Sequence, residues 1–184
     1  MALDDDLEAV AAAASAFAAP GERVTGILAT ELLRFGRVYL CAYASADERP
    51  AWLALDAARA PVTSLAAVRE AAKLAALCEL AEETAGGGDL AELRERLREL
   101  RETEAPAGIE AAEAAAAELA AVLEPEPRLA TTDYLDRIGA AARRLEQALG
   151  DDAGSPFAAA MQQALPAVDE VAAEVEQRYR GPLA

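Results

Sequence analysis

The 184-residue chain contains no histidine and only two cysteines, Cys41 and Cys78. Histidine is the commonest general acid or base at neutral pH and a frequent ligand of zinc, copper and haem iron. Its absence excludes Ser-His-Asp and Cys-His catalysis. Two cysteines are too few for a Cys/His zinc site or a cysteine-ligated iron–sulfur cluster within one chain. We therefore interpret both cysteines as buried free thiols.

Basic residues are scarce as well. The chain has 17 Lys and Arg against 33 Asp and Glu, which gives a net charge of −16 at pH 7. A surface of this charge repels phosphate backbones and anionic lipid headgroups, so we expect neither nucleic-acid nor membrane binding. The first residues, MALDDDLEAV, are acidic where a secretory signal is basic, and no apolar run is long enough to span a bilayer. A cytoplasmic location is the resulting expectation.

Aromatic residues are few, and alanine is the commonest residue. Alanine has the highest helix propensity, and its small side chain lets helices approach closely. Apolar residues recur every three or four positions through most of the chain, which is typical of amphipathic helices. The sequence predicts an all-α bundle of about six to seven helices in a single domain over 1–184, with a possible joint at 86–88. The helices are expected over 3–19, 24–35, 65–84, 90–100, 109–123, 132–149 and 155–179.

One segment departs from the helical period. In 37–44 Val38, Leu40 and Ala42 alternate with Tyr39, Cys41 and Tyr43, and a second short apolar run follows over 51–56. This alternation predicts a small β-hairpin insert near 37–57, packed on the helices. Because tyrosine and tryptophan are enriched in binding surfaces, Tyr39, Tyr43 and Trp52 are candidate ligand-binding residues. The other interpretation is that they fill one end of the bundle.

Carboxylates are the only candidates for catalysis. Glu79 and Glu82 lie three residues apart on one predicted helix, and Asp133 and Asp136 repeat that spacing on another. If the four meet across the bundle, their oxygens would suit Mg²⁺. The nine residues 75–83, AALCELAEE, resemble the acidic helix of all-α nucleoside-triphosphate pyrophosphatases, and the resemblance implies a magnesium-dependent phosphohydrolase. That family pairs an E-x-x-E helix with an E-x-x-D helix, and this chain contains no E-x-x-D.

Two predicted helices carry narrow apolar stripes. One stripe comprises four leucines within 90–100, and the other steps from Phe157 to Tyr179. Such stripes form coiled-coil seams, so either is able to meet a protein partner or a second copy. The sequence therefore favours a non-catalytic interaction or structural module, plausibly a homodimer, with no cofactor. The alternatives are the magnesium-dependent phosphohydrolase and a small-ligand binder that uses the aromatic hairpin.

Overall fold

A computed structural model describes residues 3–44, 49–86, 99, 106–124, 128–150 and 155–183 of the chain. This part of the chain forms five helices and four strands. In chain order they are α1 (Leu3–Ser15), β1 (Arg23–Leu32), β2 (Gly36–Ala44), β3 (Ala51–Asp56), α2 (Leu65–Gly86), α3 (Pro106–Leu123), β4 (Leu129–Thr131), α4 (Thr132–Ala148) and α5 (Pro156–Gln177). The four leucines of the helix predicted over 90–100, and two of the glycines of the joint at 86–88, lie outside the described residues.

The prediction of an all-α helical bundle is wrong, because the described chain is an α/β fold built around a mixed four-stranded sheet. The main error falls on 24–35, which was expected to be helical and contains β1. Its apolar residues fit a helical spacing, but Val24, Thr25 and Ile27 are β-branched and favour a strand. Gly36, with φ at +72°, then allows the tight turn that reverses the chain into β2.

Five of the other six predicted helices are present. Those expected over 3–19, 65–84, 109–123, 132–149 and 155–179 correspond to α1, α2, α3, α4 and α5. Three aspartates in the first turn of α1 suit the positive end of its dipole. Pro166 lies inside α5, which continues through it as one helix.

The strands lie in the order β3-β2-β1-β4. β1, β2 and β3 form an antiparallel meander, and the predicted pairing within 37–57 is present, with Val38 opposite Asp56 and Tyr43 opposite Ala51. This hairpin forms one side of a larger sheet and is not an insert in a bundle. β4 is parallel to β1 and pairs with it only at Ala29–Glu31.

Helices cover both faces of the sheet. On one face, Val10 and Ala14 of α1 pack against Tyr39, Cys41 and Tyr43 of β2. On the other face, the first part of α2 and the last part of α5 pack on alternate residues of the same strands. That second core contains Leu32, Val38, Leu40, Ala54, Val68, Ala71, Ala72, Ala172 and Val175. The strands are buried on both faces, which explains why β2 is apolar at nearly every position.

Contacts between residues divide the chain into two compact units. The first comprises 1–76, 127–132 and 166–184, and contains α1, the whole sheet and the helical segments that cover it. The second comprises 77–126 and 133–165, and its described residues are mainly helical. In the second unit Leu119, Ile138 and Leu145 are fully buried. Glu146 caps the start of α5, accepting hydrogen bonds from the Ser155 hydroxyl (2.6 Å) and the Phe157 backbone N–H (2.8 Å).

Candidate functional site

An open groove of about 520 Å³ lies in the first unit, between one side of α1 and the first residues of β1. Three small residues spaced four and three apart form the wall contributed by α1 and the turn after it. The start of β1 forms the other wall. The lining residues are Ala11, Ser15, Ala18, Glu22, Arg23, Val24, Thr25, Gly26 and Ile27.

The outer edge of β1 is open beside this groove. In the described part of the chain, β4 pairs with β1 only at Ala29–Glu31, so no strand lies beside Arg23–Leu28 on that side. An open strand edge presents backbone N–H and C=O groups that can pair with another chain. The side chains here are correspondingly accessible, and that of Leu28 is 42% exposed. Within the described chain, the outer edge of Arg23–Leu28 is therefore unpaired and adjoins a groove with room for side chains.

A β-bulge shapes this edge. The β1–β2 register shifts between Val24 and Gly26, so that Thr25 is the extra residue, and the Thr25 hydroxyl donates to the Ala42 carbonyl (3.3 Å). As a result Val24 and Ile27 both pack towards the core under α1. A Cβ added at Gly26 would meet no atom within 4 Å, so the space beside this glycine is open.

Arg180 contacts Glu22, one of the residues that line the groove. Its guanidinium donates to the carboxylate of Glu22 and, over 2.9 Å, to the backbone carbonyl of Phe17, and it lies 3.8 Å from the centroid of the Tyr43 ring. The hydrogen bond from Arg180, followed by one from the Ala19 backbone N–H, lowers the pKa of Glu22. These contacts fix the turn between α1 and β1.

The arginine is held in place by the C-terminal segment. The Trp52 N–H donates to the Arg178 carbonyl (3.0 Å), and the Arg180 N–H donates to the Trp52 carbonyl (2.9 Å), which covers the outer edge of β3. The Tyr179 hydroxyl donates to the Val62 carbonyl. The C-terminal segment thus covers the outer edge of β3. The outer edge of β1 at Arg23–Leu28 has no such cover among the described residues.

The three aromatic residues proposed as a ligand site do not lie together. Tyr39 and Tyr43 are 3% and 1% exposed and belong to the core beneath α1, where the Tyr43 hydroxyl donates to the Ala14 carbonyl (2.8 Å). Trp52 pairs with Ala42 in the register, which places it on the opposite face of the sheet, half-buried against the second core. Because successive side chains of a strand point to opposite faces, the thickness of the sheet separates Trp52 from the two tyrosines.

The four candidate carboxylates lie in the second unit. Glu79, Asp133 and Asp136 are exposed, and Glu82 is half-buried and accepts a hydrogen bond from the Tyr134 hydroxyl (2.7 Å). Across the described ranges, no group of three or more His, Cys, Asp or Glu side chains is arranged to hold a metal ion. The Tyr134 hydrogen bond places the start of α4 beside Glu82, without any metal-binding group among the described residues.

The apolar stripe of α5 is mostly covered within the chain. Phe157, Val168, Ala172 and Val175 are buried, whereas Leu165 is 47% exposed. The corresponding stripe predicted over 90–100 lies outside the described residues.

The groove was not predicted from the sequence. Small residues such as Ala11, Ser15 and Ala18 carry no chemical signature, and the wall they form depends on how α1 packs on the sheet. One indication was available, because a glycine within a β-branched run, as in Val24-Thr25-Gly26-Ile27, is typical of a bulge or of close backbone approach.

Comparisons with protein-family models, with curated proteins and with solved structures found no match to this chain. None of the helices in the described ranges is long and apolar enough to cross a lipid bilayer.

Proposed function

We propose that this protein is a binding module for an extended segment of another protein. The segment adds as a strand to the outer edge of β1 at Arg23–Leu28, and its alternate side chains enter the groove between α1 and β1. The observation that carries the proposal is that this open edge and the groove of about 520 Å³ lie side by side, with Arg23–Ile27 belonging to both.

The chemistry of strand addition fits this geometry. Main-chain hydrogen bonds to the edge provide affinity without regard to sequence, and a groove that takes alternate side chains provides selectivity. In a strand of six residues, about three direct their N–H and C=O groups outwards. The small side chains of Ala11 and Ser15 leave room for the side chains of the incoming segment.

Charge favours a different protein over a second copy of this chain. Two copies each carry a net charge of −16 and repel one another over several ångströms at moderate ionic strength. A neutral or basic extended segment meets no such repulsion.

The test uses the full-length protein and a phage-displayed library of random dodecapeptides. Peptides recovered from the library are synthesised, and backbone hydrogen exchange is measured with and without them. The proposal predicts slower exchange of amides within 23–28 on binding, because these amides gain hydrogen-bond partners. If the library yields no binder, or if its binders leave exchange over 23–28 unchanged, the proposal is wrong.

A matched pair of variants locates the site. Ala11→Phe places a large side chain in the groove, whereas Ala12→Phe makes the same change on an exposed position of α1 that does not line it. We expect Ala11→Phe to weaken peptide binding about tenfold or more and Ala12→Phe to leave it within about twofold. Equal thermal unfolding temperatures show that both variants fold. Equal loss of binding in both, or in neither, contradicts the assignment to the groove.

A further inference from the structure

The side of α1 that lines the groove changes from small to acidic along the helix. Asp4 and Glu8 precede Ala11 and Ser15 at spacings of four, three and four residues, which places all four on one side of α1. Ala11 and Ser15 line the groove, and both Asp4 and Glu8 are exposed. The wall of the groove therefore continues into two carboxylates.

The direction of α1 fixes where these carboxylates lie along β1. The C-terminal end of α1 is beside the start of β1, because Tyr43 bonds to Ala14 and pairs with Val24. The N-terminal end is beside the end of β1, because Arg37 lies 3.8 Å from Asp6 and is hydrogen-bonded to Glu31. Glu8 and Asp4 consequently lie towards the Leu28 end of the open edge, and exposed Arg23 lies at the opposite end.

The spacings of a helix and a strand then set a register. A helix rises about 1.5 Å per residue, so Glu8 lies about 7 Å along the axis from the midpoint of Ala11 and Ser15. A strand advances about 3.3 Å per residue and sends every second side chain to the same face. Consider the side chain of the incoming segment that lies between Ala11 and Ser15. The side chain two positions further along the segment therefore lies at the same height along α1 as Glu8. Asp4 is level with the fourth position, where β4 begins to cover β1.

We propose that the segment bound by this groove carries an apolar residue and, two positions further towards the Leu28 end, a lysine or arginine. The inference rests on the proposed function. The apolar side chain occupies the part of the groove walled by Ala11 and Ser15, and the basic side chain pairs with Glu8, with Asp4 adding to the local negative potential. The partner is thus an extended segment with alternating apolar and basic residues.

Neighbouring charges support this assignment. Asp6 and Glu31, the other acids near this end of β1, are paired with Arg37. Asp5 is exposed on α1, but it lies about a quarter turn away from the row formed by Asp4 and Glu8. Asp5 therefore provides a control with the same charge and the same place in the first helical turn as Asp4.

The test begins with the same library binders. The inference predicts that they are enriched in Lys or Arg two positions from an apolar residue. In a synthetic copy of the best binder, replacement of that basic residue with the uncharged norleucine is expected to weaken binding about two- to fivefold, the range of an exposed ion pair. Glu8→Gln removes this difference between the two peptides, whereas Asp5→Asn preserves it.

The possible outcomes separate the two proposals. Binders that slow exchange over 23–28 but show no basic preference overturn this inference and leave the proposed function standing. The same holds if norleucine costs no affinity, or if Asp5→Asn reduces the preference as much as Glu8→Gln does, since the preference would then reflect net charge alone. A library without binders, or binders without effect on 23–28, refutes the proposed function itself.

Discussion

Arg180 joins three parts of the first unit through one side chain. Its guanidinium contacts the carboxylate of Glu22, the carbonyl of Phe17 and the ring of Tyr43, while its backbone pairs with Trp52 of β3. A guanidinium can do this because it is planar, stacks on an aromatic ring and carries several donors at fixed angles. Arg180 therefore stabilises both the turn that ends the groove and the C-terminal segment.

Arg180→Ala is expected to lower the free energy of unfolding by about 1–2 kcal/mol, from the lost stacking on Tyr43 and the lost bond to the Phe17 carbonyl. Urea denaturation of the purified protein measures this change. Arg178→Ala is the matched control, because its side chain makes only an exposed contact to the Arg49 carbonyl (3.3 Å) and a 3.7 Å approach to Glu174. A loss in Arg178→Ala equal to that in Arg180→Ala would show that any residue of the segment matters equally.

The effect of Arg180 depends on pH through Glu22. Because Arg180 lowers the pKa of Glu22 below its ordinary value of 4.5, their interaction stabilises the fold fully above that value. It is lost as the pH falls through the lower pKa of the folded state. The difference in unfolding free energy between wild type and Arg180→Ala should therefore be constant between about pH 5 and 7 and should shrink below about pH 4. A difference that grows on acidification would contradict this assignment.

Cys41 is expected to be chemically inert in the folded protein. It is fully buried in the core beneath α1, and burial raises the pKa of its thiol from 9.0 to about 12. Since the thiolate is the reactive form, a thiol reagent such as DTNB at pH 8 should modify Cys41 only after unfolding in urea. Mass spectrometry of tryptic peptides identifies the modified cysteine. Rapid labelling of Cys41 in the native protein would show that this core opens readily.

At the scale of elements, β1 is where sequence and structure differ most. The spacing of Val24, Ile27, Leu28 and Leu32 satisfies a helix, and local pattern alone does not decide between the two conformations. The decision comes from pairing with β2 along its length and with β4, which follows about a hundred residues later. β4 has three residues, too few for any periodicity to be recognised. The helices α1, α2 and α5, by contrast, were predictable because each has a sustained apolar stripe.

The candidate site was even less accessible to sequence reasoning. Its walls come from α1 and β1, and their small residues become meaningful only when the packing of α1 on the sheet is known. The aromatic residues predicted to bind a ligand lie on different faces of the sheet for a related reason. Tyr43 and Trp52 were assigned to one hairpin correctly, but their relative register, with Trp52 opposite Ala42, decides which face each occupies.

Two glycines in the β1–β2 hairpin should change the free energy of unfolding in opposite directions when each is replaced by valine. Gly26 has open space beside it and no positive φ, so Gly26→Val is expected to raise the unfolding free energy by about 0.5–1 kcal/mol through strand propensity. The added side chain would project from the face of β1 away from α1, as that of its partner Ala42 does, so binding of the library peptides in the groove should change little. Gly36→Val is expected to destabilise by about 1–2 kcal/mol, because φ at +72° is strained for a β-branched residue.

Thermal and urea denaturation, together with peptide titration, measure both effects. If Gly26→Val weakens peptide affinity severalfold, the incoming segment also contacts the face of β1 away from α1. If Gly26→Val destabilises as much as Gly36→Val, the open space at Gly26 has another structural purpose.

At the scale of the whole molecule, the dominant property is a net charge of −16. A uniform excess of one sign raises the encounter rate with oppositely charged segments and slows the approach of like-charged ones. The proposed partner chemistry and the overall charge therefore act in the same direction. The local row formed by Asp4 and Glu8 then determines where the basic side chain is placed.

This long-range contribution predicts how salt affects binding. Between about 20 and 200 mM NaCl, the association rate of the basic library peptide should fall severalfold, because the Debye length shortens from about 20 to 7 Å, while its dissociation rate should change less. Stopped-flow fluorescence measures both rates, with the norleucine peptide as control. Self-association would respond in the opposite direction, since screening weakens repulsion between two copies. Sedimentation velocity across the same salt range distinguishes self-association from binding of a basic segment. A dimer that becomes more stable with salt and slows exchange over 23–28 would assign the edge of β1 to a second copy.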